Sequence, residues 1–286
     1  MADPSSSRAG TLYIVATPIG NLEDITARAR RVLAQADVIA AEDTRRTRGL
    51  LEHLDLDRPV ESCHEHSERG KASRLVSRIL EGRSVAYVTD AGAPTISDPG
   101  SLLVAEALAA GISVRPIPGP SAVTAALSVS GFRADQYLFA GYPPRKQSER
   151  ARFFADIRDA QVPVVIFEAP HRVRECLCEA REVLGPEREA FVGREMTKHF
   201  EEYIRAPLGE LCERFATQEP LGEFTLVFGP SGEQKSATAH PGNSERTADL
   251  LAVTELPTRQ AAEILAAASG MGRNDAYQAI LARRSG

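Results

Sequence analysis

The chain has 286 residues, 43% hydrophobic and 26% charged, with a formal net charge of −5. That length suits about two domains with a core in each, and the balance is that of an ordinary soluble globular protein. An acidic total excludes nucleic-acid binding by bulk charge and leaves that role to local basic patches.

No apolar run approaches the roughly 18 residues that cross a bilayer, and Met1 to Gly10 carries no signal-peptide apolar stretch. A cytoplasmic protein without membrane contact is expected.

The first predicted strand, Leu12 to Ala16, ends in the loop Thr17-Pro18-Ile19-Gly20-Asn21. A helix near Thr26 to Gln35 follows, with Asp24 or Thr26 to cap it. Val38 to Ala41 is a second strand, followed by Glu42-Asp43-Thr44 and a helix to about Leu54. Pro59 to Ser62 is a short third strand, and Lys71 to Leu80 has helical spacing through Leu75, Ile79 and Leu80. The apolar strand Val85 to Val88 stops at Thr89-Asp90. Its loop then spends Gly92, Pro94, Pro99 and Gly100 before a helix at Ser101 to Ala110. Glycines there permit close backbone approach while the prolines stiffen the loop. Ser113 to Ile117 is the next strand and ends in Pro118-Gly119-Pro120-Ser121-Ala122. Strand and helix alternate, which predicts a mostly parallel α/β sheet. Three punctuated loops then gather at the carboxyl ends of its strands, where open parallel sheets bind ligands.

A second α/β segment has predicted strands at Tyr137 to Ala140, Val164 to Phe167, Ala190 to Arg194, Glu201 to Ile204 and Phe224 to Phe228. Helices lie near Ser148 to Asp159, Arg172 to Val183 and Leu208 to Ala216. The expected organisation is an N-terminal α/β domain over 11–131 and a second α/β domain over 132–230. A Ser-, Gly-, Thr- and Pro-rich linker occupies 231–246, and a helical tail 247–286. The tail resembles a helix-turn-helix, Pro257 to Ala268 and Asn274 to Arg284, with Pro257 in the first turn and Asn274 as N-cap. Nucleic-acid contact, dimer packing and simple docking all remain open for it.

The cysteines are Cys63, Cys176, Cys178 and Cys212, without a Cys-x-x-Cys pair, so neither a zinc site nor a disulfide framework is expected. Cys63-His64-Glu65-His66 is too crowded for a metal site, and no second cluster complements it. No loop carries Gly-x-Gly-x-x-Gly or Gly-Lys-Ser/Thr, which excludes dinucleotide and P-loop readings. What remains suits a ligand gripped by backbone groups, with Asp90 as the fixed charge.

Several ordered stretches carry a family resemblance: TLYIVATPIGNLEDITARA from Thr11, AEDTRRT from Ala41, HEHSE from His64, VTDAGAPTISDPG from Val88 and IPGPSA from Ile117. GYPPRK from Gly141, FEAPHR from Phe167, GREMTK from Gly193 and GEFTLVFG from Gly222 follow in the same order. Together they resemble the tetrapyrrole methylase superfamily and, within it, the ribosomal RNA small-subunit methyltransferase I family. That resemblance implies two class III methyltransferase α/β domains with S-adenosylmethionine in the cleft between them, usually as a homodimer. The implied acceptor is the ribose 2'-hydroxyl of a decoding-centre cytidine in small-subunit (16S) rRNA, free or in the assembled subunit, and not DNA. Thr89-Asp90-Ala91 stands where the tetrapyrrole branch often has Gly-Asp-Pro, which shifts weight from a porphyrinoid substrate. A tetrapyrrole methylase and a non-catalytic RNA-binding assembly factor are the alternatives.

Carried onto this sequence, the resemblance gives Pro18, Ile19 and Gly20 to the cofactor from the first loop. Asp90, Gly92, Ala93 and Pro94 form the central wall, with Ser121 and Ala122 near the methionine end. Phe167, Glu168 and Ala169 come from the second domain, and Leu226 and Val227 pack near the adenine. Asp43, Glu168 and Glu195 are candidate bases because each follows a predicted strand, and Lys198 is a candidate for holding a phosphate or acidifying the hydroxyl. A salt bridge or helix cap is the plainer role for each. Arg45, Arg46 and Arg48, then Arg145 and Lys146 in a run with Arg150 and Arg152, and Arg172 are the candidate phosphate contacts, with His64 and His66 in a polar RNA-facing loop. Solvated helix faces are the alternative.

Overall fold

The computed structural model describes residues 10–63, 68–217, 220–232, 248–249, 251–252, 254, 256–269 and 272–284. It divides into two compact units, one ending at Ser231 and one beginning at Gly232.

The first unit opens with β1 (Thr11–Val15), α1 (Ala27–Gln35), β2 (Val38–Ala41), α2 (Thr44–His53), β3 (Val60–Ser62) and α3 (Glu68–Leu80). β4 (Val85–Val88), α4 (Ser101–Ala109), β5 (Ser113–Ile117) and α5 (Ala122–Ser130) follow. The five strands form one parallel sheet in the order β3-β2-β4-β1-β5. β2 and β4 are buried along their whole length, as strands covered on both faces must be. α1 and α2 cover one face through Leu33, Leu50 and Leu51. α3 and α4 cover the other through Leu75, Ile79 and Leu103. β1 passes its connection toward β2, whereas β4 passes its own the opposite way, toward β5. With right-handed crossovers these neighbours send their helices to opposite faces, which leaves a crevice at their carboxyl ends.

Local chemistry sets the helix starts. Thr26, not Asp24, caps α1, its Oγ1 accepting from the Ala29 N–H at 3.0 Å. Asp43 caps α2 through the Arg45 N–H at 2.8 Å.

The second half contains β6 (Leu138–Phe139), α6 (Gln147–Ile157), β7 (Val164–Glu168), α7 (Pro170–Leu184), β8 (Glu189–Arg194), β9 (Glu202–Pro207), α8 (Leu208–Ala216) and β10 (Phe224–Phe228). Its sheet runs β6-β7-β10-β8-β9, parallel between β6 and β7 and antiparallel elsewhere. α6, α7 and α8 pack on one face. On the other, Val123, Ala126 and Leu127 of α5 meet Val165, Phe191 and Val227. α5 therefore belongs in sequence to the first sheet and in packing to the second. The sequence reading left that helix out.

Two further expectations are corrected. Cys178 and Cys212 are joined by a disulfide between α7 and α8, although no disulfide was expected; a pair 34 residues apart leaves no local spacing signal. Cys176, on another side of α7, is buried in the core.

In the second unit, α9 (Thr258–Ser269) and α10 (Arg273–Arg284) pack through Ala261, Leu265, Ala276 and Ile280. Asn274 lies inside α10 rather than capping it; the Gly272 carbonyl accepts the Ala276 N–H at 2.9 Å. Arg284 closes the unit by donating to the carbonyls of Leu251, Thr254 and Leu256. No helix among the described residues is long and apolar enough to cross a membrane.

Candidate functional site

The crevice between β1 and β4 is closed by a two-way backbone clasp. The Thr17 N–H donates to the Gly92 carbonyl at 2.9 Å, and the Gly92 N–H returns to Thr17 at 3.0 Å. Gly92 holds φ +78, and a Cβ there would stand 3.5 Å from Ile19 Cγ2, so the first and central loops touch where only glycine is at ease. The β2 and β4 loops are knitted as well: Asp90 Oδ1 accepts the Asp43 N–H at 3.1 Å, and Arg46 Nη1 lies 3.4 Å from Asp90 Oδ2.

Two cavities open from this junction. The larger, about 390 Å³, lies between the two sheets, with Ile19, Asp90, Gly92, Ala93, Ser121 and Ala122 on one side and Phe167, Glu168 and Ala169 on the other. The smaller, about 310 Å³, is bounded by Pro18, Gly20, Gly49, Leu50 and Lys198. Ile19, Arg46, Asp90, Ala91 and Glu223 belong to both walls. Both volumes fall in the range of small-molecule sites.

Three of the expected cofactor residues line neither cavity, and two more, Pro18 and Gly20, line the smaller alone. Pro94 is buried and lines neither cavity. Leu226 faces the α6–α8 core and Val227 faces α5, both fully buried. Because β10 runs antiparallel to β7, its first residues meet the end of β7, Phe224 opposite Glu168 and Thr225 opposite Phe167. Phe224 and Thr225 therefore reach the cavity in their stead.

The larger cavity is rich in carboxylates. Glu42, Asp98 and Glu168 join Asp90 and Glu223 on its wall, with Arg46 as the cation. Burial first, then the Glu42 carboxylate, pushes Asp98 up to about 6. Burial likewise raises Glu42 and Glu168. Glu168 is 2% exposed; its Oε1 accepts the Ala169 N–H at 2.8 Å, while Oε2 makes no hydrogen bond and has Arg172 Nη2 at 3.4 Å.

The candidate bases part company here. Asp43 lines neither cavity; hydrogen bonds from Arg45, side chain then backbone, hold it down at about 2. It is the helix cap. Glu195, with φ +50, also lines neither wall and pairs with Lys198 Nζ at 2.8 Å. Lys198 adds Glu223 Oε2 at 2.9 Å. Partial burial opposes charge on both, yet the pairing wins: Glu195 is lowered and Lys198 raised. Glu168 alone of the three proposed bases stands on a cavity wall. Glu42 and Asp98 were missed, though each sits inside a motif already singled out; Glu42 directly follows β2 at the loop-bearing edge. Tyr142 and Met196 on the same wall carried no signal of their own.

The basic residues divide too. Arg45 and Arg48 are exposed on α2, Arg45 pairing with Asp43 at 3.1 Å. Arg46 turns to the cavities. Arg145 and Lys146 are exposed before α6. Arg150 of the same run is buried against Glu179 and Glu175, so it is no phosphate contact. Arg172 is also corrected: 14% exposed, it donates to the carbonyls of Pro143 and Pro144 at 2.8 and 3.0 Å, as an internal brace. His64 and His66 lie outside the described residues.

Residues 11–212 match the family model for tetrapyrrole (corrin/porphyrin) methylases, and residues 245–284 match an RsmI C-terminal HTH domain. A Pseudomonas aeruginosa protein named ribosomal RNA small subunit methyltransferase I is 42% identical over 282 residues, covering 96% of this chain and 98% of its own. A protein of the same name from Neisseria meningitidis serogroup B is 42% identical over 276 residues, covering 95% and 93%. Among solved structures, a cobalt precorrin-4 methyltransferase matches with TM-score 0.60 at 17% identity, over 80% of this chain and 98% of its own. A uroporphyrin-III C-methyltransferase from Thermus thermophilus, complexed with S-adenosyl homocysteine, matches with TM-score 0.56 at 18% identity, over 77% and 97%. At those identities the likeness is one of fold. Carried by near full-length similarity, the assignment is plain: this chain belongs to the ribosomal RNA small subunit methyltransferase I family of the tetrapyrrole methylase superfamily.

Proposed function

We propose that the protein is a cytoplasmic, homodimeric methyltransferase. It uses S-adenosylmethionine to methylate the ribose 2'-hydroxyl of a decoding-centre cytidine in small-subunit (16S) rRNA. Residues 11–131 and 132–230 act as its two halves. The observation that carries the reading is the larger cavity, where Ile19, Asp90 and Ser121 converge on a carboxylate-rich wall. The relatives named for small-subunit rRNA point the same way.

The residues present fit the donor. A wall holding Glu42, Asp90, Asp98 and Glu168 against one guanidinium favours a net cation. Glu168 Oε2, ion-paired with Arg172 at 3.4 Å but without a hydrogen bond, keeps acceptor capacity for a ligand's donor group. Gly92 keeps its backbone open to close approach. When bound, S-adenosylmethionine supplies an electrophilic methyl group for in-line displacement.

The chain's own work is chiefly orientation. Clasped loops that hold two reactants in line can supply roughly 7–11 kcal/mol. A base adds about 10²–10⁴-fold, and Asp98, with its carboxyl held at about 6, is ionised but still basic at neutral pH. Phe167 and Tyr142, edge to face with centroids 5.6 Å apart, give the second sheet's side of the cavity an apolar face.

Mass mapping of small-subunit rRNA from cells with and without the protein tests the reading. One cytidine should lose a ribose methyl group and regain it on complementation. An unchanged modification map would end the proposal, and a methyl on a base would move the acceptor atom.

A further inference from the structure

We infer that the smaller cavity is the acceptor-nucleotide subsite, and that the methyl group crosses from the larger cavity over the wall formed by Ile19, Asp90 and Ala91. The inference rests on the function proposed above and deepens it by dividing the two cavities between the two substrates.

The two cavities differ in charge. Glu42, Asp98 and Glu168 line the larger cavity alone, which suits a cationic donor. Lys198 lines the smaller alone and Arg46 lines both. Its two carboxylates are already engaged by those cations, Asp90 with Arg46 at 3.4 Å and Glu223 with Lys198 at 2.9 Å. Pro18, Leu22 and Leu50 complete an apolar wall. An apolar slot whose two cations balance its two carboxylates suits a nucleotide's flat base and ribose better than the carboxylate-rich larger cavity does.

Lys198 is held in position there. A Cβ on Gly20 would stand 2.5 Å from Lys198 Cγ and 2.8 Å from Thr197 Oγ1, and the Asn21 N–H donates to Thr197 Oγ1 at 3.1 Å. The first loop is thus pressed against the segment that carries the ammonium group.

Gly49 supplies an independent sign. Glycine is a poor residue for a helix interior, yet Gly49 lies within α2. A Cβ at this position would meet nothing within 4 Å. Packing does not require its absence, and Gly49 is an exposed residue that lines the smaller cavity.

In the transfer, an oxygen lone pair of the hydroxyl forms the O–CH₃ bond as the C–S bond breaks. That bonding pair stays on sulfur, and the hydroxyl proton passes to the Asp98 carboxylate on the larger cavity's wall and on to solvent.

Gly49→Phe adds bulk at a residue that lines the smaller cavity and not the larger, and Lys198→Met removes the charge while keeping the stem. S-adenosylmethionine affinity by calorimetry, filter retention of small ribosomal subunits and single-turnover methylation are measured on both. Each variant should hold the donor within about twofold of wild type, while methylation falls about 30-fold or more in Gly49→Phe and half-saturation by subunits rises about tenfold in Lys198→Met. Unchanged methylation and subunit binding in both variants would overturn the assignment. Lost donor affinity in folded Gly49→Phe would also overturn it, by giving this cavity to the donor. Should Gly49→Phe not fold, Lys198→Met decides alone. Wild-type protein that neither binds the donor nor methylates subunits would instead bring down the proposed function, and this inference with it.

Discussion

The two sheets of the first unit build the same site by different means. The parallel sheet brings the carboxyl ends of β1, β2, β4 and β5 to one edge, so four loops reach the cavities from a single direction. The largely antiparallel sheet brings the ends of β6, β7 and β8 to the same place together with the start of β10, which runs against β7 and β8. One sheet contributes a cluster of shaped loops, the other a short wall held by what lies behind it. Catalytic geometry should therefore depend on backbone conformation in the first half and on internal bracing in the second.

The sharpest way to break that contrast is to remove the brace. Arg150, its side chain 2% exposed, is paired with Glu179 at 9% and with the more exposed Glu175. Arg150→Ala leaves a buried carboxylate unpaired, and the expected loss is about 3–5 kcal/mol of stability. It is read as a lower denaturation midpoint at near-constant slope. A loss under about 1 kcal/mol would mean that water already reaches the pair.

Next in size is Gly92→Val. A β-branched residue at φ +78, opposite Ile19, should pull the clasp apart and lower single-turnover methylation by about 10²–10³-fold. Stability should change far less than in Arg150→Ala. Glu168→Gln, on the second sheet's wall, is expected to cost less activity than Gly92→Val. Equal losses would make that wall more than a support.

A smaller effect separates charge from shape. The Asp98 carboxyl, held up at about 6 by burial and by Glu42, is neutral below that pH and charged above it. Affinity for the cationic donor should therefore rise as pH increases through about 6, by up to about tenfold between pH 5 and 7. Asp98→Asn should flatten the calorimetric profile. A slope that persists would move its origin to Glu42, which burial also raises.

Smallest is the outer patch. Arg45→Glu with Arg48→Glu alters exposed residues of α2 and leaves the cavity-facing Arg46 in place. Subunit binding should weaken only severalfold, with a shallower dependence on salt. Unchanged salt dependence would remove this face from the RNA path.

The same contrast governs what could be read from the sequence. Loops of the parallel sheet were legible because Gly and Pro mark them locally and strand direction fixes their edge. Asp43 was named and Glu42 was not, although adjacent residues after a strand look equivalent until a helix cap claims one of them. In the antiparallel sheet the edge alternates, so the middle of β10 was read where its beginning belongs. Arg150 and Arg172 looked like surface cations because their partners are distant in sequence, Glu179 by 29 residues and Pro143 by 29. Helix α5 was passed over because Ala122–Ser130 is short, small-residued and packed on the second sheet rather than on the one it follows in sequence.

The exchange of amides between Thr17 and Gly92 has a mechanical corollary. Neighbouring parallel strands ordinarily release their outgoing chains to move independently, but here the two departures are stitched together at Thr17 and Gly92, just past the ends of β1 and β4. Neither loop can swing outward without tearing two hydrogen bonds, so this bank of the larger cavity is fixed, while on the facing bank Tyr142 stands 57% exposed.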